Sequence, residues 1–238
     1  MLNFMGIGAQ KCGTTWLCRT LARHPEISFP AGKEVFFWDK YRERGVDWYK
    51  GKFPDNGKVH GEITPAYALL PDDVVASVKE NFPALRLIYV IRNPVDRAWS
   101  AARMMLARSE MLHTEASDQW FLDVFESTGS LGRGDYESTI RRWRSAFGDD
   151  ALLILRFEDL CVDPVGFANI CLDHIGVPGF RFSAVDKFNL MQKQHKGDGV
   201  DIRPDLAVAL HSLYDEKTKR LGEYLKVDLS SWLKDGGL

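Results

Sequence analysis

Three groups of residues have the types and spacing to do chemistry. The first is Gly8-Ala9-Gln10-Lys11-Cys12-Gly13-Thr14-Thr15, which follows an apolar run and precedes Leu17 and Leu21, four apart. That pattern predicts a strand, a Gly-bounded loop and a helix. Such a loop aims backbone N–H groups at an anion, and the helix start adds its positive end. Gly8 and Gly13 have phosphate-loop spacing, with the Thr14 and Thr15 hydroxyls as further donors. A nucleotide hydrolase carries lysine directly after the second glycine; here Thr14 stands there and Lys11 lies inside the loop. An anion cradle is kept, while a magnesium-dependent ATPase is disfavoured. A Gly-rich turn without a ligand is the other reading. Cys12 is either a reactive thiol or a small residue that fits a tight turn.

The second group is Arg92-Asn93-Pro94-Val95-Asp96-Arg97-Ala98-Trp99-Ser100. Arg92 falls at the C-terminal end of an apolar run, where open α/β sheets place their ligands. Its forked guanidinium and the Ser100 hydroxyl can together hold a second phosphate. Arg97 reads instead as the structural partner of Asp96 or Glu62. The third group is Lys33-Glu34-Val35-Phe36-Phe37-Trp38-Asp39, where charges flank an aromatic cluster. A carboxylate set beside an apolar wall is a candidate general base. Glu34 also reads as half of a surface ion pair, and the cluster as plain core.

The elements that must position these groups alternate in type. Strands are expected near Asn3, Ile27 to Phe29, Val59, Arg86 to Ile91 and Ala151 to Arg156. Arg86-Leu87-Ile88-Tyr89-Val90-Ile91 is the clearest, because an unbroken apolar run suits a parallel strand covered on both faces. Helices are expected from Thr14 to Arg23, Asp72 to Asn81, Pro94 onward, Asp118 to Glu126, Tyr136 to Phe147, Pro164 to Ile175 and Pro204 to Leu225. Trp48, Tyr49 and Phe53 fit a loop or short helix covering the site. Gly129 to Gly134 reads as a flexible connection, and Phe188 to Asp201 as a cation-bearing loop. Arg141, Arg142 and Arg144 make a basic run, read as a solvated face rather than as a groove for an acidic substrate.

Composition narrows the classes. The chain has 238 residues, 45% hydrophobic and 27% charged, which suits one α/β domain over 1–238 with a substantial core. The formal net charge of −2 disfavours a globally basic nucleic-acid binder. No apolar run approaches the ~20 residues of a membrane span, and no secretion signal is visible. The four cysteines lack CxxC spacing, so reduced thiols in a cytoplasm are expected. No clustered His/Cys/Asp site calls for a metal.

A ligand with two separated phosphate-like groups satisfies both motifs. At this point the sequence resembles the sulfotransferases that use 3′-phosphoadenosine 5′-phosphosulfate (PAPS). Gly8 to Thr15 looks like that family's 5′-phosphosulfate loop, and Arg92 to Ser100 like its 3′-phosphate motif. Lys33 to Phe37, Trp48-Tyr49, Gly61 to Tyr67 and the Leu155-to-Pro164 region resemble the branch that includes heparan sulfate sulfotransferases and bacterial relatives. The resemblance implies an α/β, three-layer, P-loop-NTPase-like sulfotransferase fold, with a central parallel sheet of about four or five strands flanked by helices. It implies a PAPS site drawn from Gln10, Lys11, Cys12, Gly13, Thr14, Thr15, Trp16, Arg92, Ser100, Lys196 and Gly197. Glu34 takes the place of the base, with His60 and Asp39 in reserve, and Lys11 neutralises charge on the leaving phosphate. The implied reaction is sulfuryl transfer to a hydroxyl or amine of a small-molecule or glycan acceptor, with no metal, nucleic acid or membrane span. Relatives that modify heparan sulfate often carry Lys where Ile63 stands and His where Phe36 stands, which points here to a smaller or more apolar acceptor. An ATP- and magnesium-dependent small-molecule kinase and a non-catalytic nucleotide-binding module are the competing classes.

Overall fold

The structure, a computed structural model, describes residues 1–178 and 201–233. The chain divides into two compact units, Met1–Ile91 with Arg141–His195 and Arg92–Ile140 with Lys196–Leu238.

The first unit holds a five-stranded sheet of β1 (Leu2–Gly8), β2 (Ile27–Ser28), β3 (Val59–Ile63), β4 (Arg86–Ile91) and β5 (Leu152–Arg156). Their order is β2-β3-β1-β4-β5, and every neighbouring pair is parallel. The run at β4 is apolar because both of its faces are covered: Leu87 to Ile91 are all buried. β1 lies in the middle of the sheet and is almost as dry, with Phe4, Met5 and Ile7 fully buried. Helix α1 (Thr14–Leu21) follows β1 and buries Leu17 and Leu21. Between β2 and β3 come two short helices, α2 (Phe37–Lys40) and α3 (Val46–Lys50). A 3-10 turn, Pro65–Leu69, follows β3, and α4 (Asp72–Asn81) leads on to β4.

The second unit is helical. Its core joins Val95, Ala98, Trp99, Ala102 and Leu106 of α5 (Pro94–Arg108) to Phe121 and Phe125 of α6 (Asp118–Glu126). The expected flexible connection at Gly129 to Gly134 is instead helix α7 (Thr128–Gly134). Ser127 caps it by accepting from the Ser130 N–H at 3.3 Å, and a Cβ at Gly134 would lie 2.3 Å from Tyr214 Cε1. The absence of a side chain at Gly134 permits that close packing. The chain passes back into the first unit within α8 (Tyr136–Phe147).

After β5, α9 (Phe157–Val162) and α10 (Pro164–His174) complete the described part of the first unit. Trp16 of α1 meets Phe167 of α10 edge to face at 5.9 Å. The last helix, α11 (Pro204–Leu225), adds Leu206, Leu210 and Tyr214 to the helical core. No helix among the described residues is long and apolar enough to cross a membrane.

Candidate active site

The loop after β1 leaves the C-terminal end of the central strand. The Ala9 N–H ties its start to β4 by donating to Val90 O at 2.7 Å. Lys11 holds a left-handed backbone (φ 71°), as does Gly13 (φ 80°). A Cβ at Gly13 would sit 2.9 Å from Leu160 Cδ2 and 3.1 Å from the Phe157 ring, so space as well as φ demands glycine. Gly13 is the N-cap of α1 and offers no side-chain cap, and the first turn holds no acidic residue. The positive helix end therefore meets no carboxylate of its own, the condition under which it holds a ligand anion. Cys12 is fully buried, its Sγ 3.7 Å from Gln10 O, which supports the tight-turn reading. Thr14 and Trp16 are buried, whereas Gln10, Lys11 and Thr15 are half-buried.

Glu34 lies in the same unit. Its carboxylate pairs with Lys33, and its side chain remains 36% exposed. The Lys33 charge reaches α1, where it opposes the rise that burial causes in the Cys18 thiol pKa. Glu34 (φ 64°) and Phe36 (φ 54°) both hold left-handed backbone. The Glu34 N–H donates to Ile63 O at 3.1 Å, and the Phe37 and Trp38 N–H groups donate to Tyr67 OH at 2.9 and 3.4 Å. The Tyr67 hydroxyl donates in turn to Glu62 Oε1 at 2.8 Å. Glu62 is fully buried and also accepts from Thr64 Oγ1 at 2.8 Å and from Tyr49 OH. Burial pushes the Glu62 carboxyl up, while hydrogen bonds from Tyr49, Thr64, Tyr67 and the Val35 backbone pull it back. Burial, and then the nearby Glu62 charge, push the Tyr49 and Tyr67 phenols up.

The reserve bases sit differently. His60 is buried within β3, with Nδ1 2.7 Å from Ser28 Oγ and Nε2 2.7 Å from Pro54 O. Both ring nitrogens are thereby spent on local structure. Asp39 is on the solvent side of α2. The aromatic residues sort in a similar way. Phe37, Trp38, Tyr49 and Tyr67 are core, with Phe37 stacked on Tyr49 at 4.5 Å. Phe36 and Trp48 keep exposed area, with Lys40 over the Phe36 ring and both Arg44 and Lys52 over Trp48. Ile63 is fully buried against Gly6, so its side chain belongs to the core.

In the helical unit, Arg92 directly follows β4 and is half-buried. Its Nη2 is 3.6 Å from Asp96 Oδ2, and its carbonyl accepts from Tyr136 OH at 2.8 Å. Asn93 caps α5 by accepting from the Val95 N–H at 2.9 Å, and Ser100 lies half-buried further along that helix. Arg97 is fully buried and donates from Nη2 to Ser130 O at 3.1 Å and Tyr214 OH at 3.3 Å. The acids expected to pair with it are engaged elsewhere, Asp96 by Arg92 and Glu62 by three hydroxyls. Lys196 and Gly197 lie outside the described residues. Among the described residues, no group of three or more His, Cys, Asp or Glu side chains could hold a metal ion.

A parallel sheet whose central strand runs through a Gly-bounded loop into an uncapped helix is an α/β arrangement suited to holding a phosphate. The chain belongs to the sulfotransferase-domain family, whose model matches residues 3–196. It is 28% identical over 198 residues to heparan sulfate glucosamine 3-O-sulfotransferase 6 of Mus musculus, covering 79% of this chain and 57% of that protein. It is 34% identical over 103 residues to the membrane-associated sulfotransferase kil1 of Dictyostelium discoideum, covering 41% and 22%. The chain thus spans little more than half of the first relative and about a fifth of the second. Among solved structures, a sulfotransferase from Alicyclobacillus acidocaldarius superposes with a TM-score of 0.75 at 24% identity, covering 98% of both chains. A mouse sulfotransferase complexed with PAP gives 0.60 at 17%, covering 94% of this chain and 88% of that one. The fold is the P-loop-like sulfotransferase fold.

Proposed function

We propose that this protein transfers a sulfuryl group from PAPS to a hydroxyl or amine of a small-molecule or glycan acceptor. The observation that carries this is the acid-free, uncapped start of α1 behind a loop that holds Lys11, in a chain of the sulfotransferase family. Gln10 to Trp16 would hold the 5′-phosphosulfate, with loop amides and Lys11 facing its charge. Arg92 and Ser100 would hold the 3′-phosphate, and Lys196 and Gly197 complete the set that the resemblance implies. Glu34 would take the acceptor's proton as the acceptor oxygen or nitrogen bonds to sulfur. The bond from sulfur to the bridging phosphate oxygen breaks, and Lys11 stabilises the charge left there. His60, with both ring nitrogens engaged, supports this role less well, while Asp39, whose carboxyl burial pushes up, stays in reserve.

The whole of 1–238 acts on this reading as one sulfotransferase domain, supported by a family match over residues 3–196 that takes in the first unit and Arg92–Ile140 of the second. All four cysteines are free, which supports a reducing, cytoplasmic setting. The departure at Phe36, which keeps exposed area, supports an acceptor smaller or more apolar than heparan sulfate, whereas Ile63 lies in the core and does not bear on the acceptor.

Calorimetric titration with adenosine 3′,5′-bisphosphate, 5′-AMP and ATP plus magnesium tests the donor site. The bisphosphate is expected to bind at least tenfold more tightly than 5′-AMP. An acceptor panel with PAPS then follows, spanning phenols, aliphatic alcohols, amines and heparan sulfate. A preference for ATP with magnesium would replace this reading with a kinase. Bisphosphate binding without turnover across the panel would leave a non-catalytic module.

A further inference from the structure

We propose that Glu62 is the positioning residue for Glu34: its buried carboxylate, acting through Tyr67, fixes the backbone that aims the Glu34 side chain. This rests on the reading of Glu34 as the base. Two residues in three, Glu34 and Phe36, adopt left-handed backbone without being glycine. Such a stretch persists only where its surroundings over-determine it. Here the fixing contacts come from the end of β3 and the turn after it. Ile63 O accepts from the Glu34 N–H, and Tyr67 OH accepts from the Phe37 and Trp38 N–H groups.

Tyr67 has one hydroxyl proton and spends it on Glu62 Oε1. With its lone pairs taken by two backbone donors, that oxygen needs a strict acceptor opposite its proton. Thr64 and Tyr49 also donate to the same carboxylate, and Tyr49 stacks on Phe37 at an interplanar angle of 10°. Three hydroxyl donors thus converge on a group that only accepts. A carboxamide cannot replace it, because one end of a carboxamide donates. A requirement for packing alone would be met more cheaply by an apolar residue, since burying a charge is costly. The carboxylate is explained by what it orients.

The test compares wild type with Glu62→Gln, Tyr67→Phe, Glu34→Gln and the Glu34→Gln/Glu62→Gln double variant. Amide hydrogen exchange needs no acceptor. In Glu62→Gln, the amides of Glu34, Phe37 and Trp38 should exchange at least tenfold faster, while Leu87 to Ile91 in β4 keep wild-type protection. Tyr67→Phe should free the Phe37 and Trp38 amides alone, and it stands in should Glu62→Gln fail to fold. Turnover is measured with PAPS and the best acceptor of the panel, with p-nitrophenol as a fixed probe. Glu62→Gln should lower kcat ten- to a hundredfold and leave KM for PAPS within twofold. The double variant should be no slower than Glu34→Gln, because a positioning residue has nothing left to position. Unchanged exchange at residues 34–38 would overturn the proposal. So would equal loosening of β4, or a double variant slower by the product of the two single losses. Full turnover in Glu34→Gln would sink the base assignment instead, leaving the exchange result to judge the anchor.

Discussion

Glu34 carries its side chain on a left-handed backbone that costs an L-residue about 1–2 kcal/mol. Its half-buried pairing with Lys33 joins the side chains of adjacent residues and does not itself set the backbone. The conformation is therefore held by the backbone contacts to Ile63 and Tyr67, and the carboxylate stays half open to solvent, as a base that meets an incoming acceptor requires. Glu34→Gln is expected to lower kcat by roughly 10²–10⁴ and leave bisphosphate affinity within twofold, read by steady-state kinetics and calorimetry. Lys11→Ala is expected to abolish transfer in the same assay. Glu62 adds a stability prediction with a definite sign. Burial raises its carboxyl pKa above the ordinary 4.5, so the folded protein holds that proton more tightly than the unfolded chain does. The resulting stabilisation is complete below 4.5 and is lost as pH rises through the raised value. Glu62→Gln has no such proton. The unfolding free energy of wild type minus that of the variant should therefore fall with rising pH across that window, followed by urea midpoints at several pH values. A difference that rises instead would mean that the hydroxyl bonds outweigh burial.

At the scale of elements, the turn from β1 into α1 depends on one glycine. Gly13→Ala meets both a positive φ and the Leu160 and Phe157 side chains, whereas Gly57 (φ 74°) has nothing within 4 Å of an added Cβ. Gly57→Ala should cost only the backbone strain, about 1 kcal/mol, with unchanged bisphosphate binding. Gly13→Ala should cost more in thermal stability and weaken the bisphosphate at least tenfold. Equal effects of the two would remove the loop from the donor site. This turn was legible in the sequence because its signal is local: apolar run, paired glycines, then helix spacing. Pro94, Pro164 and Pro204 likewise marked helix starts, and β4 was plain from its unbroken apolar run. Helix α7 was not legible, since Gly129, Gly132 and Gly134 weaken any local helix signal and the fit against Tyr214 comes from α11. The Glu62 hub was hidden for the same reason. A lone glutamate in an apolar strand says little, and one of its donors, Tyr49, is 13 residues away on another element. The strand order was also beyond the sequence, because nothing local in parallel strands names their neighbours.

At the scale of the whole molecule, a net charge of −2 gives no general attraction for a doubly phosphorylated nucleotide. Affinity must come from a few groups, and Arg92 is the residue on which discrimination for the 3′-phosphate rests in our reading. Ligand binding then becomes measurable as stability. Bisphosphate at a hundred times its Kd should add about 2.7 kcal/mol to the unfolding free energy. For a chain of 238 residues this is a rise in Tm of roughly 5–10 °C. Arg92→Ala, if it weakens the bisphosphate tenfold, should keep only about 1.4 kcal/mol of that gain at the same concentration, roughly halving the shift. 5′-AMP, which lacks the 3′-phosphate, should give the same small shift in wild type and variant. Thermal scans of both proteins with both nucleotides, read beside the ligand-free Tm of each, separate loss of recognition from loss of stability. A bisphosphate shift that survives Arg92→Ala intact would move the 3′-phosphate off this residue, and with it the second half of the donor motif.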